Sequence, residues 1–583
     1  MKDWNPNKLF TKTAMMAAIL VLPTTSIAEI DETQRGLKSR VPVKPFFEEP
    51  RFKESKPAPL ASEKVLPAAP AKSSGQGITD SPKFELQRIE ILGSTIFSAA
   101  ELAAMLAPYE NRLVTIDELQ ALRHALSLKY FQRGYVNSGV IIPDQDIKSG
   151  VVKFQVIEGQ LTKLNLSGND GLVDSYILDR INLGVDQPLN VEDLQHALRS
   201  IQQNPLIRKI NAQLKPAKEL GFAELDVIVT EADTQRLTIS ADNYRSPSIG
   251  AEEITLAYSN GNLIGLGDTL GLSYSKTEGL SSASVNYQIP LTAEDTSLSF
   301  FYSQSDSEVI EAPFDEIEIE SESSNYGVSL SSPIYKDNNT SFSLNTGMTF
   351  KDSSSFLLGE PFSFSAGAIE GQSKSSTLEI GGSFVYRASA EVYALSLTAR
   401  QGLDMFDANK NSDSDIPDSS FLTFLAQGQY AARIESLPGS QFIIRTAFQM
   451  SMDPLLSIEK FSVGGHSTVR GYRENQLVRD NGLTASAEFR YPLFADESGN
   501  DPYNFQLAPF LDWGTAWDED VPSQDDETLD IYSAGIGFLW QPINGLNIET
   551  YWAEALESDV KQDDGDDLQD DGLHFSLSYG YRF

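Results

Sequence analysis

From residue 235 to the end of the chain, apolar and polar side chains alternate with a period of two. The last segment is the plainest. In 573–583, LHFSLSYGYRF, every odd position is apolar and every even one is small or polar. Successive side chains of a strand point to opposite faces, so this segment has one face suited to lipid and one suited to water. The same parity runs through 483–491, where Glu488 and Arg490 fall on the polar face. It returns in 505–513, with Asp512 on the polar face and Leu507, Leu511 and Trp513 opposite. Segments of this kind lie near 235–244, 251–259, 268–276, 282–289, 296–305, 324–332, 340–351, 374–386, 391–402, 421–433, 440–451, 482–491, 505–514, 530–540, 546–555 and 573–583. Sixteen strands over this length leave roughly 22 residues per strand and connection, which suits a transmembrane β-barrel of 9–11-residue spans. An even count places both barrel ends on one side. Short turns at 260–261, 437–440 and 542–545 alternate with long acidic ones at 306–322, 404–418, 518–530 and 558–571. Pro509 gives no N–H to a ladder, so a bulge is expected in that strand.

Upstream the period changes from two to that of a helix. TIDELQALRHAL at 115–126 recurs as NVEDLQHALRSI at 190–201. Ile116, Leu119 and Leu122 map onto Val191, Leu194 and Ala197 as an apolar stripe, with Thr115 and Asn190 as N-caps. Alternating runs flank each copy, at 84–91 and 151–157, then at 161–166 and 225–229. The order predicted is strand, two helices and two strands in about 75 residues, given twice. The first module spans 81–160 and the second 161–233. His124 and His196 lie on these helices and read as structural residues rather than ligands.

The N-terminus has a different texture again. Lys2, Lys8 and Lys12 precede an apolar run at 14–22, and Ala28 ends a small-residue site. This predicts an export signal over 1–28, cut after Ala28. Seven prolines between 42 and 70 mark 29–80 as a linker, with room for one short helix at 30–41.

Composition then narrows the function. The chain has 583 residues and 82 acidic against 45 basic side chains, a net charge of −37. Nucleic acid is not its partner, because phosphate neutralisation needs a Lys/Arg excess. Cysteine is absent, which removes thiol chemistry, disulfides and iron–sulfur clusters; four histidines make a multi-histidine metal site improbable. No Walker A, G-x-S-x-G or H-E-x-x-H motif occurs, and Gly265, Gly267 and Gly271 miss the dinucleotide fingerprint by one residue. No catalytic residue, cofactor or metal is expected, and the chain does not read as an enzyme.

One connection stands apart. Residues 452–481 are basic in an acidic chain, with Lys460, Arg470, Arg473 and Arg479, and contain VGGHSTVRGYR at 463–473. The glycines permit a tight, folded-back tip. From the residues alone two placements stand level. In one, the tip enters the polar lumen and Arg470 pairs with Asp512; in the other, the segment is a solvated outer loop.

VRGY at 469–472 (Val469, Arg470, Gly471, Tyr472) and the F-x-D-x-G pattern at 510–514 (Phe510, Asp512, Gly514) resemble the paired signatures of the Omp85 superfamily. With two modules before sixteen strands, the chain resembles the outer-membrane transporters of two-partner secretion, the TpsB family (ShlB/FhaC/HecB-like). NLIGLGDTLG at 262–271 is also similar to family members. The resemblance implies that the two modules are POTRA domains in the periplasm and that 234–583 is an outer-membrane barrel. It implies a pore loop whose Arg470 meets Asp512, with Glu488 and Arg490 nearby, and in some members a plug helix, which only 30–41 could supply here. Its implied partner is a secreted TpsA-type exoprotein with an N-terminal secretion domain, translocated unfolded and without ATP. Outer-membrane lipid and lipopolysaccharide would surround the barrel. The barrel-assembly machinery would read the C-terminal Tyr581 and Phe583. The alternative from the same superfamily is an assembly factor for other barrels, but those usually carry three to five POTRA modules. A diffusion porin would carry none, and a hydrolase barrel would show a Ser/His/acid set.

Overall fold

The computed structural model of the protein describes residues 83–147, 149–411, 416–496, 499, 501–519, 528–557 and 567–583. The expected export signal, linker and plug helix lie outside the described residues. The chain forms two compact units, one of 83–234 with 261–268 and the other of the remaining residues from 235 onward.

The first unit begins with β1 (Lys83–Leu86), β2 (Arg88–Leu92), α1 (Ala99–Leu106), β3 (Arg112–Thr115), α2 (Ile116–Gln132), β4 (Gly139–Ile141) and β5 (Val151–Ile157). β2 pairs in parallel with β5, and β4 pairs antiparallel on its other side. Both helices start on capping boxes, Ser98 with Glu101 and Thr115 with Glu118, which satisfy N–H groups the first turn leaves free. Leu119, Leu122, Leu126 and Tyr130 of α2 pack with Val152, Phe154 and Val156. The buried stripe of α2 therefore runs one turn further along than Ile116–Leu119–Leu122. Ile116 itself is 52% exposed, because it sits in the first turn beside the cap. The same core order of β2, α1, α2, β4 and β5, without counterparts of β1 and β3, follows in β6 (Gln160–Ser167), α3 (Asp174–Asn182), α4 (Val191–Gln202), β7 (Ile207–Pro216) and β8 (Phe222–Glu231). β6 pairs in parallel with β8, and β7 antiparallel. Val191, Leu194, Leu198 and Ile201 face this core, so Leu198 rather than Ala197 continues the stripe.

The second unit is a closed antiparallel barrel of sixteen long strands. They are β9 (Gln235–Asp242), β10 (Glu253–Asn260), β11 (Thr269–Lys276), β12 (Leu280–Pro290), β13 (Ser297–Glu308), β14 (Ile319–Lys336), β15 (Thr340–Leu357), β16 (Gln372–Arg387), β17 (Glu391–Gly402), β18 (Leu422–Arg433), β19 (Gln441–Ser451), β20 (Asn481–Pro492), β21 (Phe505–Trp517), β22 (Leu529–Ile543), β23 (Leu546–Ala555) and β24 (Leu573–Arg582). All sixteen expected segments are strands. β14 and β15 run longer than expected, through IESES at 319–323 and PIYK at 333–336 in β14 and DSSSFL at 352–357 in β15, where the regular alternation of apolar and polar residues is lost. β24 closes the barrel on β9, from Ser576 opposite Asp242 to Arg582 opposite Arg236.

The alternation sorts the two faces. Leu511 and Trp513 of β21, Trp552 of β23 and Leu577, Tyr579 and Tyr581 of β24 are exposed outward, while Asp512, Glu488 and His574 are buried inward. An apolar outside around a polar inside is the arrangement lipid demands. At Pro509 the register corrects the expected bulge. The β20–β21 ladder passes from Glu488–Phe510 to Tyr491–Leu507 without a shift, leaving the two intervening pairs unmade. Pro509 still sits opposite Ile536 on the other side. The missing N–H is thus absorbed by a gap in one ladder rather than by an extra residue.

Candidate functional site

The connection between β19 and β20 turns back into the barrel. Its two limbs pair as a short hairpin, Phe461–Val463 against Leu477–Arg479. Beyond them the tip carries Gly464, Gly465 and Gly471, all at positive φ. Val463, Val469 and Tyr472 are fully buried, and with Phe461, Leu477, Ala516 and Ile531 they form one apolar cluster. This is a packed insertion, not a solvated outer loop.

Arg470 projects from the tip onto the wall. Its Nε donates to Asp512 Oδ2 at 2.8 Å and its Nη2 to Asp512 Oδ1 at 2.9 Å, a two-pronged grip. Its backbone N–H donates to the same carboxylate at 3.1 Å. Nη1 donates to Glu488 Oε2 at 2.6 Å, and Nη2 also reaches Ser486 Oγ at 3.0 Å. Arg490 Nε donates to the other oxygen of Glu488 at 2.6 Å. Arg470, Glu488 and Asp512 are each at most 5% exposed. Charges buried this deeply must be mutually satisfied, and here two arginines are interleaved with two carboxylates.

The flanking residues explain why the motif needs its particular side chains. Phe510 and Asp512 share the inward parity of β21. The guanidinium of Arg470 lies over the Phe510 ring at 3.4 Å and 4.8 Å from the Tyr551 ring, in the corner the two rings make by meeting edge to face, so it has cation–π contacts as well as ion pairs. Gly514 is inward too. A Cβ there would come within 2.4 Å of Val463 and 2.9 Å of Val469, so glycine lets the hairpin lie flat on the strand. Tyr472 donates its hydroxyl to the Tyr532 carbonyl at 3.1 Å and accepts from the Glu557 N–H at 3.1 Å.

The structure thus brings Val469, Arg470, Gly471, Tyr472, Glu488, Arg490, Phe510, Asp512 and Gly514 together at one wall. Tyr581 and Phe583 are remote from it. They stack on one another on the outer face, and Phe583 closes the β9 ladder through Gln235. Three further contacts escape the sequence reading. Ser486 shows the parity of Glu488 and was findable by that rule. His574, whose ring faces the Gly471 N–H, and Tyr244, which stacks on His466 at 3.8 Å, come from the last strand and from just after the first, the two ends of the barrel sequence that closure joins. Among the described residues no group of His, Asp and Glu is placed to hold a metal ion.

A closed sixteen-strand barrel with an apolar outer face and an internal hairpin gripped by its own wall is a β-barrel of the outer-membrane type. The sequence profile of the haemolysin secretion/activation protein ShlB/FhaC/HecB matches residues 221–539, and that of the ShlB-type POTRA domain matches 84–159. The chain belongs to the ShlB/FhaC/HecB family. It is similar to the outer membrane transporter CdiB of Escherichia coli O6:K15:H31, 22% identical over 449 residues, covering 74% of this chain and 72% of that one. The hemolysin transporter protein ShlB of Serratia marcescens is 24% identical over 491 residues, covering 81% and 83%. A solved structure of CdiB from Escherichia coli superposes with a TM-score of 0.62 at 19% identity over 90% of this chain and 94% of that one, a likeness of fold. The protein is therefore an outer-membrane, two-partner secretion transporter whose POTRA region lies in the periplasm, and its family is a family of pores.

Proposed function

We propose that the protein moves one unfolded exoprotein through its barrel and that the 452–481 hairpin is the gate. Residues 161–233 read as a second POTRA module, repeating the strand and helix order of the first. The two modules offer sheet edges to extended segments of the cargo by strand addition. The chain would reach this place through an export signal at 1–28, with Tyr581 and Phe583 read by the barrel-assembly machinery and the apolar outer face set in lipid and lipopolysaccharide. No nucleotide drives the step. Folding of the cargo outside, with burial of its apolar surface, makes return unfavourable.

The observation that carries the gate reading is the Arg470 cluster. A buried guanidinium held by two carboxylates fixes the hairpin in one place, yet it is made of contacts that water and a passing chain can replace. Arg470→Ala should cut release of the exoprotein encoded alongside this gene at least tenfold while general outer-membrane protein levels stay constant. Depletion of other barrels with normal exoprotein release would instead favour the assembly-factor reading.

A further inference from the structure

The hairpin tip carries a second arginine that the gate reading does not use. Arg473 is 8% exposed and lies three residues past Arg470. Its Nη2 donates to Asp570 Oδ2 at 2.7 Å, its Nε binds the other oxygen of Asp570, and its Nη1 donates to Glu311 Oε1 at 2.8 Å. Glu311 belongs to the connection between β13 and β14, and Asp570 to that between β23 and β24. Both connections lie at the rim opposite the chain ends. The next residue extends the contact. The Glu474 N–H donates to Gln569 Oε1 at 2.9 Å, and Gln569 Nε2 donates to the carbonyls of Asn243 at 2.7 Å and Arg245 at 2.6 Å. Asn243 then clasps the last strand, donating to the Leu573 carbonyl at 2.9 Å and accepting from the Phe575 N–H at 2.8 Å. Gln569 and Asn243 are both 0% exposed.

We infer that Arg473, Glu474, Gln569 and Asn243 are positioning residues that form a second anchor for the hairpin. This anchor closes the outer mouth and ties the seating of the hairpin to the seam between β9 and β24. The inference rests on the reading of the hairpin as a gate. The two anchors grip different parts of the barrel: Arg470 holds β20 and β21, whereas Arg473 holds the connections around β13–β14 and β23–β24. Breaking one leaves the hairpin tethered by the other. Arg473 is also the cation between the Glu311 and Asp570 carboxylates, so its loss removes the attraction that draws those two connections onto the tip. Gln569 has its acceptor and both donors used, all on backbone groups. Its removal takes a partner from the Asn243 and Arg245 carbonyls at the outer end of the seam and from the Glu474 N–H on the hairpin.

The test compares Arg470→Ala, Arg473→Ala, Arg473→Lys, Gln569→Ala and the double variant Arg470→Ala/Arg473→Ala in the full-length protein. Each is reconstituted in planar lipid bilayers in potassium chloride. Open-state occupancy is read from the conductance, and backbone exchange in 236–242 and 576–582 is read by mass spectrometry. Arg473→Ala and Gln569→Ala should each raise open occupancy about tenfold, corresponding to about 1.4 kcal/mol. Arg473→Lys, which keeps the charge without the fork, should fall between them and the wild type. The double variant should multiply the single effects, as independent anchors require. Seam exchange should quicken in Arg473→Ala and Gln569→Ala but not in Arg470→Ala. If Arg470→Ala conducts while Arg473→Ala and Gln569→Ala match the wild type in both readouts, the second anchor is wrong and the gate stands. If none of the variants conducts, the gate reading itself fails. Should Arg473→Ala not reach the folded, heat-modifiable form, Arg473→Lys and Gln569→Ala decide the matter.

Discussion

At Gly514 the wall and the hairpin meet with no room for a methyl group, since Val463 and Val469 would lie 2.4 Å and 2.9 Å from its Cβ. A branched side chain has to push the hairpin off its seat or distort the strand, and overpacking of this kind typically costs about 1–3 kcal/mol. Gly514→Val should therefore leave the barrel closed but raise cleavage within 461–479 by added protease roughly ten- to a hundredfold, following the population of the unseated hairpin. Val463→Ala in the same chain opens space beside the new side chain and should recover much of the protection. Protection equal to wild type in Gly514→Val alone would show that the glycine is there for the strand, not for the hairpin. Asp512 needs no such room. It is selected by charge and by its two oxygens, which take the guanidinium and the backbone N–H of the same residue.

Among the elements, three of the four helices described in the first unit start on a side-chain cap, α3 after Val173 being the exception, and one of these caps is pH-sensitive. Glu101 closes the capping box of α1 and also takes a hydrogen bond from Arg133 at 2.6 Å. That guanidinium first, and the Ser98 N–H and hydroxyl next, hold the Glu101 carboxyl at about 2, well below the ordinary carboxylate range. A carboxylate lowered in the folded state contributes its stabilisation fully above the unfolded value, and that contribution fades as pH falls towards about 2. Carbon-detected titration should find Glu101 still ionised at pH 3.5, and Arg133→Ala should raise its titration only part of the way to the ordinary range, because the Ser98 bonds remain; a normal titration in the unaltered protein would remove the box from the account. Such caps are local and were legible as Thr115 and Asn190, because a cap and its helix are neighbours in sequence. The strands were legible for the same reason: lipid outside and water inside impose a period of two on each segment separately. Strand lengths were less so, since β14 and β15 continue through Ser- and acid-rich stretches (319–323 and 352–357) where the period-two alternation is lost. Pairings between distant segments were the least legible. Nothing near Arg473 in sequence names Glu311 or Asp570, and nothing near Gly471 names His574; closure of the barrel brings them together.

For the whole molecule, the proposed function gives recognition to one of the two units and passage to the other, and the two duties should be separable. Barrel closure uses ladders among β9–β24, and the Arg470 cluster draws its partners from β20, β21 and β23. A chain with 83–231 deleted and its N-terminal region kept should insert as a closed, heat-modifiable barrel with a seated hairpin, and its bilayer conductance should match that of the intact protein. It should release no exoprotein. Simple pores need no periplasmic modules, so residual release would mean that the barrel selects its cargo by itself and that the repeated modules serve another step. A deleted chain that fails to close would carry a different meaning: folding of the barrel would then depend on the modules, and the assignment of separate duties to the two units would have to be withdrawn.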